Sequence, residues 1–324
     1  MAATTTGERE SELQELLAEV RRIDVQSHRL VTALMSGGYS SVFRGSGIEF
    51  EGVREYAEGD DPRTVDWNVT ARVGRPYVKT YVDERELTVL FLLDLSASMT
   101  GGFGFWSARQ MAARVCACLA LSAVRNNDKV GLIAFSGAVD KYVPPKKGTG
   151  HALRVVRDCI ALSGRGARTD LVPPLEFASR VVRRRAVVFL VSDFLCGASD
   201  GAAADARRGG ADAGWRHALT LCARRHDVIA VRILSPEIAA PAAGLLRVRD
   251  PETGRVALAD WNSTRVRAAY SERVAAWRGQ VADDLRRAKV DLMDVPVPRV
   301  QDRDAIARPI LRFFRMREER GAKR

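Results

Sequence analysis

An aspartate followed at every second residue by a serine, Asp94-Leu95-Ser96-Ala97-Ser98, closes one of the most apolar runs of the chain. A second apolar run, Val187-Val188-Phe189-Leu190-Val191-Ser192, ends in Asp193. If both runs are strands of one sheet, the two acids lie at the same edge. The two-residue spacing sends Asp94, Ser96 and Ser98 the same way, provided the segment stays extended or loops gently. Oxygen donors of this hardness suit Mg²⁺, Mn²⁺ or Ca²⁺, whereas zinc would require His or Cys. A site with mainly hydroxyl ligands leaves the ion under-neutralised, so it has room for one more anionic oxygen from outside. An Asp or Glu of a partner protein would satisfy it.

The elements that must position these residues follow from the periodicity. From Leu87 onward, apolar runs of strand length at Leu87–Leu93, Lys129–Phe135, Ala186–Val191, Val228–Ile233 and Val290–Val295 alternate with helical patterns. The helices are expected at about Ser107–Arg125, His151–Ala161, Leu175–Arg183 after Pro173-Pro174, a segment ending near Arg225, Ser263–Ala288 and Asp304–Met316. Val139–Val143 can pair with the Lys129–Phe135 strand as an antiparallel hairpin, and a charged hairpin is expected around Asp250-Pro251-Glu252-Thr253-Gly254. Strands apolar throughout and alternating with helices indicate an α/β fold with a mostly parallel, doubly wound sheet. Ligands of such sheets bind outside the carboxyl ends of the strands, which is where Asp94 and Asp193 fall.

Ahead of this region, Leu13, Leu16, Leu17, Val20 and Ile23 form a helical stripe, and Ser36-Gly37-Gly38 breaks it. Short Gly-, Val- and Tyr-containing segments up to about Tyr81 read as strands and turns. The organisation is therefore an N-terminal helix in 1–35, a small strand-rich extension in 36–85, the α/β domain in 86–317 and a basic tail in 318–324.

The 324 residues carry 51 Lys and Arg against 40 Asp and Glu, a formal charge of +11. That balance favours acidic partners or anionic surfaces without choosing among them. The arginines are spread along the chain, as in Arg183–Arg185, Arg207–Arg208 and Arg224–Arg225, without the aromatic interleaving of a single-strand binder. Cys116, Cys118, Cys159, Cys196 and Cys222 form no CxxC pair and read as reduced, buried residues of a cytosolic protein. His28, His151, His217 and His226 are far apart, so the sequence itself places no histidine metal site. No secretory signal is recognisable, and no apolar run approaches the roughly 20 residues of a membrane-spanning helix.

Asp94-Leu95-Ser96-Ala97-Ser98 resembles the DxSxS element of the metal-ion-dependent adhesion site in von Willebrand factor A domains. The same resemblance assigns Thr169 to that site's threonine and Asp193 to its second acid, and implies a divalent cation, Mg²⁺ first. The chain departs from the pattern at Ala167-Arg168, where relatives often have Gly-Gly, and at Phe194, where many have Gly. Upstream, Glu49-Phe50-Glu51-Gly52-Val53-Arg54-Glu55-Tyr56, Gly59-Asp60-Asp61-Pro62-Arg63, Val65-Asp66-Trp67 and Ala71-Arg72 are similar to the signature of the bacterial domain of unknown function 58 family. The likeness covers about Ile23 to Phe194 well and the remainder loosely. It implies an adaptor that works with a MoxR-type AAA+ ATPase on client proteins, and the absence of the amino-terminal membrane helices of many relatives points to the cytoplasm.

Each feature also has a plainer reading. The cluster of Glu55, Glu58, Asp60, Asp61 and Asp66 with Arg54, Arg63 and Arg72 is either a partner surface or a salt-bridged turn, and the turn is favoured, with Trp67 as a packing anchor. Cys116 and Cys118, two apart on a helix, face different sides and belong to the core. Two other functions compete with a non-catalytic interaction module. A phosphoryl-transfer or hydrolytic enzyme would use Asp94 as nucleophile, but Ser96 stands where such enzymes usually carry a second acid, and no GxxxxGK[ST] occurs. A basic nucleic-acid binder would rest on charge alone.

Overall fold

The computed structural model describes residues 48–83, 86–164, 168–196, 211–241, 244–302 and 304–322, together with positions 14 and 18. The helical stripe at Leu13–Ile23 otherwise lies outside the described residues. Two compact units are distinguished, one of them Ser36–Glu86.

In the smaller unit, β1 (Ile48–Glu55) pairs antiparallel with β2 (Tyr77–Asp83), with a register shift between Phe50 and Gly52. Between them lie a 3₁₀ turn at Pro62–Thr64 and a short helix, α1 (Trp67–Val73). The helix was not expected from a segment read as strands and turns. Its ends explain it: the Asp66 carboxylate accepts from the amides of Asn68 and Val69, and Gly74 closes the last turn at φ 76°. Trp67 is 72% exposed, so it is not the packing anchor the sequence suggested. As the first residue of a helix with no buried face, it has nothing to pack into.

The larger unit is built on six strands: β3 (Thr88–Asp94), β4 (Lys129–Phe135), β5 (Val139–Lys146), β6 (Val187–Ser192), β7 (Asp227–Leu234) and, after a separate hairpin of β8 (Leu245–Arg249) and β9 (Val256–Asp260), β10 (Asp291–Pro296). Their order is β10-β7-β6-β3-β4-β5, parallel throughout except for the β4–β5 hairpin. The connecting helices are α2 (Ala108–Arg125), α3 (Thr149–Ala161), α4 (Val172–Val181), α5 (Ala211–Arg225) and α6 (Thr264–Arg287), and α7 (Ala307–Ala322) follows β10. Local signals set the starts. Ser107 and Gln110 form a reciprocal capping box on α2, and Pro173 sits in the first turn of α4, where its missing N–H costs nothing. This is the α/β, mostly parallel sheet that the alternation of apolar runs implied.

Both faces of the sheet are covered. Leu90, Leu92, Val188 and Leu190 point into a core shared with Leu175 of α4, Leu219 of α5 and Leu285 of α6. The alternate residues Val89, Phe91, Leu93 and Phe189 are equally buried and face the other way. That double burial is why β3 and β6 read as continuous apolar runs rather than alternating ones. The boundary expected at 317 falls inside α7, which runs to Ala322 because Arg317 and Arg320, one turn apart, both pair with Asp291 at the start of β10.

Phe91 and Phe189 stack across neighbouring strands with centroids 5.5 Å apart and no solvent exposure. Phe189→Ala is expected to destabilise the protein by about 3–5 kcal/mol through the cavity it leaves. The shift of the denaturant midpoint at unchanged slope measures this.

Candidate metal centre at the carboxyl edge

Sheet register brings the two acids together. Leu93 pairs with Val191, so the next residues, Asp94 and Ser192, stand side by side at the carboxyl ends of β3 and β6. The Ser192 hydroxyl donates to Asp94 Oδ2 at 2.5 Å, and Asp94 Oδ1 accepts the Ser96 amide at 2.8 Å. Leu95 N–H is held by the Phe135 carbonyl at 2.7 Å, which pins the start of the loop to β4. Of the two courses the spacing allowed, extended or looped, the segment takes the second: from Ser96 it curls into a 3₁₀ turn at Ala97–Thr100, closed by Met99 N–H donating to the Ser96 carbonyl. Burial drives the curl, since Leu95 and Met99 both insert into the core. The two hydroxyls remain neighbours, with Ser96 Oγ and Ser98 Oγ 3.0 Å apart. Ser98 in turn hydrogen-bonds the Asp193 carboxylate.

Thr169 reaches this edge by a separate route. Asp170 N–H donates to the Ser136 carbonyl just beyond β4, at 3.1 Å, and Asp170 Oδ1 accepts the Val172 amide at the start of α4. Gly164, on the approach to Thr169, lies so close to the chain that a Cβ there would stand 2.2 Å from the Leu95 carbonyl oxygen. Only glycine permits that approach of one loop to the other. Thr169 is 8% exposed, and its hydroxyl donates to Glu252 Oε1 of the β8–β9 turn at 2.7 Å. The electrostatics tie Glu252 back to Asp193, whose charge raises the Glu252 pKa in addition to the larger effect of burial. Asp94, Ser96, Ser98, Thr169 and Asp193 thus sit on loops gathered at one rim of the sheet.

The charge balance at this rim is unfavourable as it stands. Burial, and then the charge of Asp193, pushes the Asp94 carboxyl up to about 7, against the lowering effect of hydrogen bonds from Ser192 and Ser96. Burial also raises Asp193 above the usual carboxylate range. A cation does stand in the same row: Ser192 pairs with Arg232 on β7, and Arg232 with Asp294 on β10. It is already engaged, because Arg232 donates from Nε and Nη2 to both oxygens of Asp294 at 2.8 and 3.0 Å. Neither Asp94 nor Asp193 has an ion-pair partner among the described residues.

A family model described as a protein of unknown function, DUF58, matches residues 52–280. The chain belongs to the DUF58 family. An uncharacterized protein of Mycobacterium tuberculosis is 28% identical over 95% of this chain and 91% of its own length. Among solved structures, the conserved hypothetical protein BatB from Bacteroides thetaiotaomicron is 17% identical, with a TM-score of 0.41 over 72% of this chain and 99% of that one. Proximal thread matrix protein 1 from the mussel byssus, in a form with a zinc-occupied MIDAS motif, is 20% identical, with a TM-score of 0.32 over 46% of this chain and 38% of that one.

The donor set in this DUF58 chain fits a hard divalent ion. Two buried carboxylates and three hydroxyls supply oxygen only, the donor type that hard divalent ions prefer, while among the described residues no group of three or more His, Cys, Asp or Glu side chains is placed to hold a metal ion of any kind. Phe194, the departure from glycine after the second acid, adopts φ 58°, the left-handed region that favours Gly. Its ring is 1% exposed in the core, its amide donates to Ser192 Oγ, and its carbonyl accepts Trp277 Nε1 at 3.0 Å. Packing and these two hydrogen bonds hold a conformation the residue type does not favour.

Two residues of the site were missed in the sequence. Ser192 was legible, being one strand position before Asp193 on the face that Asp94 occupies. Glu252 was not, since no local pattern says where a hairpin tip folds. The cluster of acids in the smaller unit is mostly occupied with its own fold. Arg54 grips Asp60 through both oxygens, Asp61 caps the 3₁₀ turn, Asp66 caps α1, and Arg75 pairs with Glu55. Arg63 and Arg72 are exposed.

A folded Asp94 pKa near 7, above its unfolded value of 3.8, contributes stability that is full below about pH 4 and is lost as pH rises through 7. Chelator-treated protein is therefore expected to melt at a lower temperature at pH 8 than at pH 5.5, and Asp94→Asn should remove most of that slope. Added Mg²⁺ should raise the melting temperature at pH 8 and act weakly at pH 5.5, where it must displace a proton. Thermal melts of wild type and variant across pH, with and without Mg²⁺, provide the check. Gly164→Val should displace the loop that leads to Thr169 and weaken Mg²⁺ stabilisation at pH 8 by several-fold in concentration, read from the same melts.

Proposed function

We propose that this DUF58 protein is a non-catalytic interaction module that captures an acidic side chain of a partner protein through a divalent cation, Mg²⁺ first. Asp94, Ser96, Ser98, Thr169 and Asp193 hold the ion, which supplies an electrophilic position for one external carboxylate oxygen. The observation that carries this reading is the pair of buried carboxylates at adjacent strand ends whose nearest strand cation, Arg232, is committed to Asp294. Like charges in a low-dielectric setting are destabilising unless a counter-ion joins them. Hydroxyl ligands leave that counter-ion with charge to spare.

The surroundings support a protein partner. Phe103 is 83% exposed on the loop after the 3₁₀ turn, and Phe105 is half exposed, its amide donating to the Pro298 carbonyl at 2.7 Å. Val300, two residues further on, is 73% exposed. These side chains give the carboxyl edge an apolar border of the kind found at protein contacts. We propose further that the partner is a MoxR-type AAA+ ATPase acting on client proteins in the cytoplasm; the family resemblance supports this, not the geometry. Among the described residues no helix is long and apolar enough to cross a membrane.

The competing readings have less support. Both oxygens of Asp94 already accept hydrogen bonds and the side chain has no solvent exposure, which is poor placement for a nucleophile. Several arginines that would recruit nucleic acid are engaged internally, as in Arg216–Asp284, Arg232–Asp294 and Arg317–Asp227.

The test is binding of the purified MoxR-type ATPase to immobilised full-length protein. Because such an ATPase itself uses Mg²⁺, the decisive comparison is wild type against Ser96→Ala and Asp94→Ala in one Mg²⁺ buffer. A loss of tenfold or more in affinity is expected for both variants. Equal binding by all three proteins removes the cation from the interaction.

A further inference from the structure

The β8–β9 hairpin brings an acid of the chain itself, Glu252, against Thr169 at the carboxyl edge of the sheet. Its turn, Asp250-Pro251-Glu252-Thr253-Gly254, is stiff. The Asp250 carboxylate accepts the amides of Glu252 and Thr253 and the Thr253 hydroxyl, Gly254 N–H donates to the Asp250 carbonyl at 2.9 Å, and Gly254 takes φ 70°. This fixes Glu252 at the apex. Its carboxylate is received by the hydroxyl of Thr169, with the Thr169 backbone amide adding to the hold. Nothing in the hairpin's own folding requires that contact, since all five β8–β9 pairs close without it.

The rest of the hairpin is attached at its base. Trp261, just after β9, is 7% exposed and packs edge-on against Tyr270 at 5.1 Å, while its amide donates to the Gly244 carbonyl. Between base and apex every residue of β8 is exposed, and Leu245 and Leu258 are 63% and 66% exposed. A ribbon anchored at one end, with little packing along its length, is held down chiefly by what its apex binds.

We propose that Glu252 is the site's built-in acidic ligand, filling the position a partner's carboxylate would take, so that the hairpin must lift before a partner can dock. The inference rests on the metal-site reading above. Among the described residues Asp94, Asp193 and Glu252 do not converge as one metal-holding group, and like charges repel one another. A divalent ion gives Glu252 a reason to approach, and Thr169 guides it there. The class of partner follows: a protein segment that presents Asp or Glu strongly enough to displace an intramolecular competitor, whose effective concentration is in the millimolar range.

The experiment uses the full-length protein and Mn²⁺ alone as probe. Mn²⁺ affinity is measured by calorimetry for wild type, Glu252→Ala, Glu252→Gln and Asp94→Ala, and amide hydrogen exchange is followed across residues 245–260 with and without Mn²⁺. Expected is a tenfold or greater loss of Mn²⁺ affinity in both Glu252 variants, with exchange in the hairpin slowed by Mn²⁺ in wild type and not in the variants. Both variants lie at a half-buried turn outside the main core, and the unchanged exchange of β3 and β6 would show them folded. Equal Mn²⁺ affinity in wild type and Glu252 variants, with hairpin exchange indifferent to Mn²⁺, overturns this inference and leaves the metal site intact. Failure of wild type to bind millimolar Mn²⁺, or binding that survives Asp94→Ala, overturns the metal-site reading and this inference with it.

Discussion

Two carboxylates buried at the ends of neighbouring parallel strands are the constraint around which this protein is arranged. Asp94 and Asp193 end the two most apolar strands, so the same burial that stabilises the sheet strips water from both acids. Hydrogen bonds from Ser192, Ser96, Ser98 and the Leu195 amide offset part of the cost. They cannot remove the repulsion, because each brings a dipole and not a charge. The side chain that could do so, Arg232 in the same lateral row, is turned to Asp294 and over the face of Trp277. The edge strand thus takes the arginine out of play, and the two acids at the centre of the sheet keep no ion-pair partner among the described residues.

Most of this was legible in the sequence, for a reason specific to buried parallel sheets. Strands covered on both faces must be apolar at every position, so Leu90–Leu93 and Val187–Val191 announce themselves, and any acid that ends such a run is conspicuous. Ser96 and Ser98 were legible by spacing, although the spacing did not say that the backbone would curl into a 3₁₀ turn. Thr169 was assigned by resemblance alone. Its placement depends on the Asp170–Ser136 bond and on the bare backbone of Gly164, neither of which leaves a local signature. The short helix at Trp67–Val73 escaped notice because its stability comes from caps and not from an apolar stripe. Glu252 escaped because its role depends on where a hairpin of ordinary composition is folded.

The two rims of the sheet treat charge in opposite ways. At the amino ends, Asp227 and Asp291 are drawn together by Arg317, and Arg320 adds a second arginine to Asp291. Asp128 there accepts the Leu87 amide where the chain enters β3. Asp227 and Asp291 are satisfied within the chain and fasten α7 to β7 and β10. At the carboxyl ends the acids of the central strands are satisfied only by hydroxyls and amides. One rim is an internal fastening and the other is chemically open, although the same residue types supply both.

The Phe194 backbone ties the site to a part of the chain far along in sequence. Its carbonyl, exposed to the interior by the left-handed turn, is taken by the indole of Trp277 in α6. The loop carrying the second acid is therefore shaped by a side chain more than eighty positions later, close to residue 280, where the shared family region ends. A fragment stopping at the end of β7 would retain all five oxygen-bearing side chains and yet lack the indole that braces the loop after Asp193. The shape of this rim thus depends on a tryptophan that is not one of its oxygen donors.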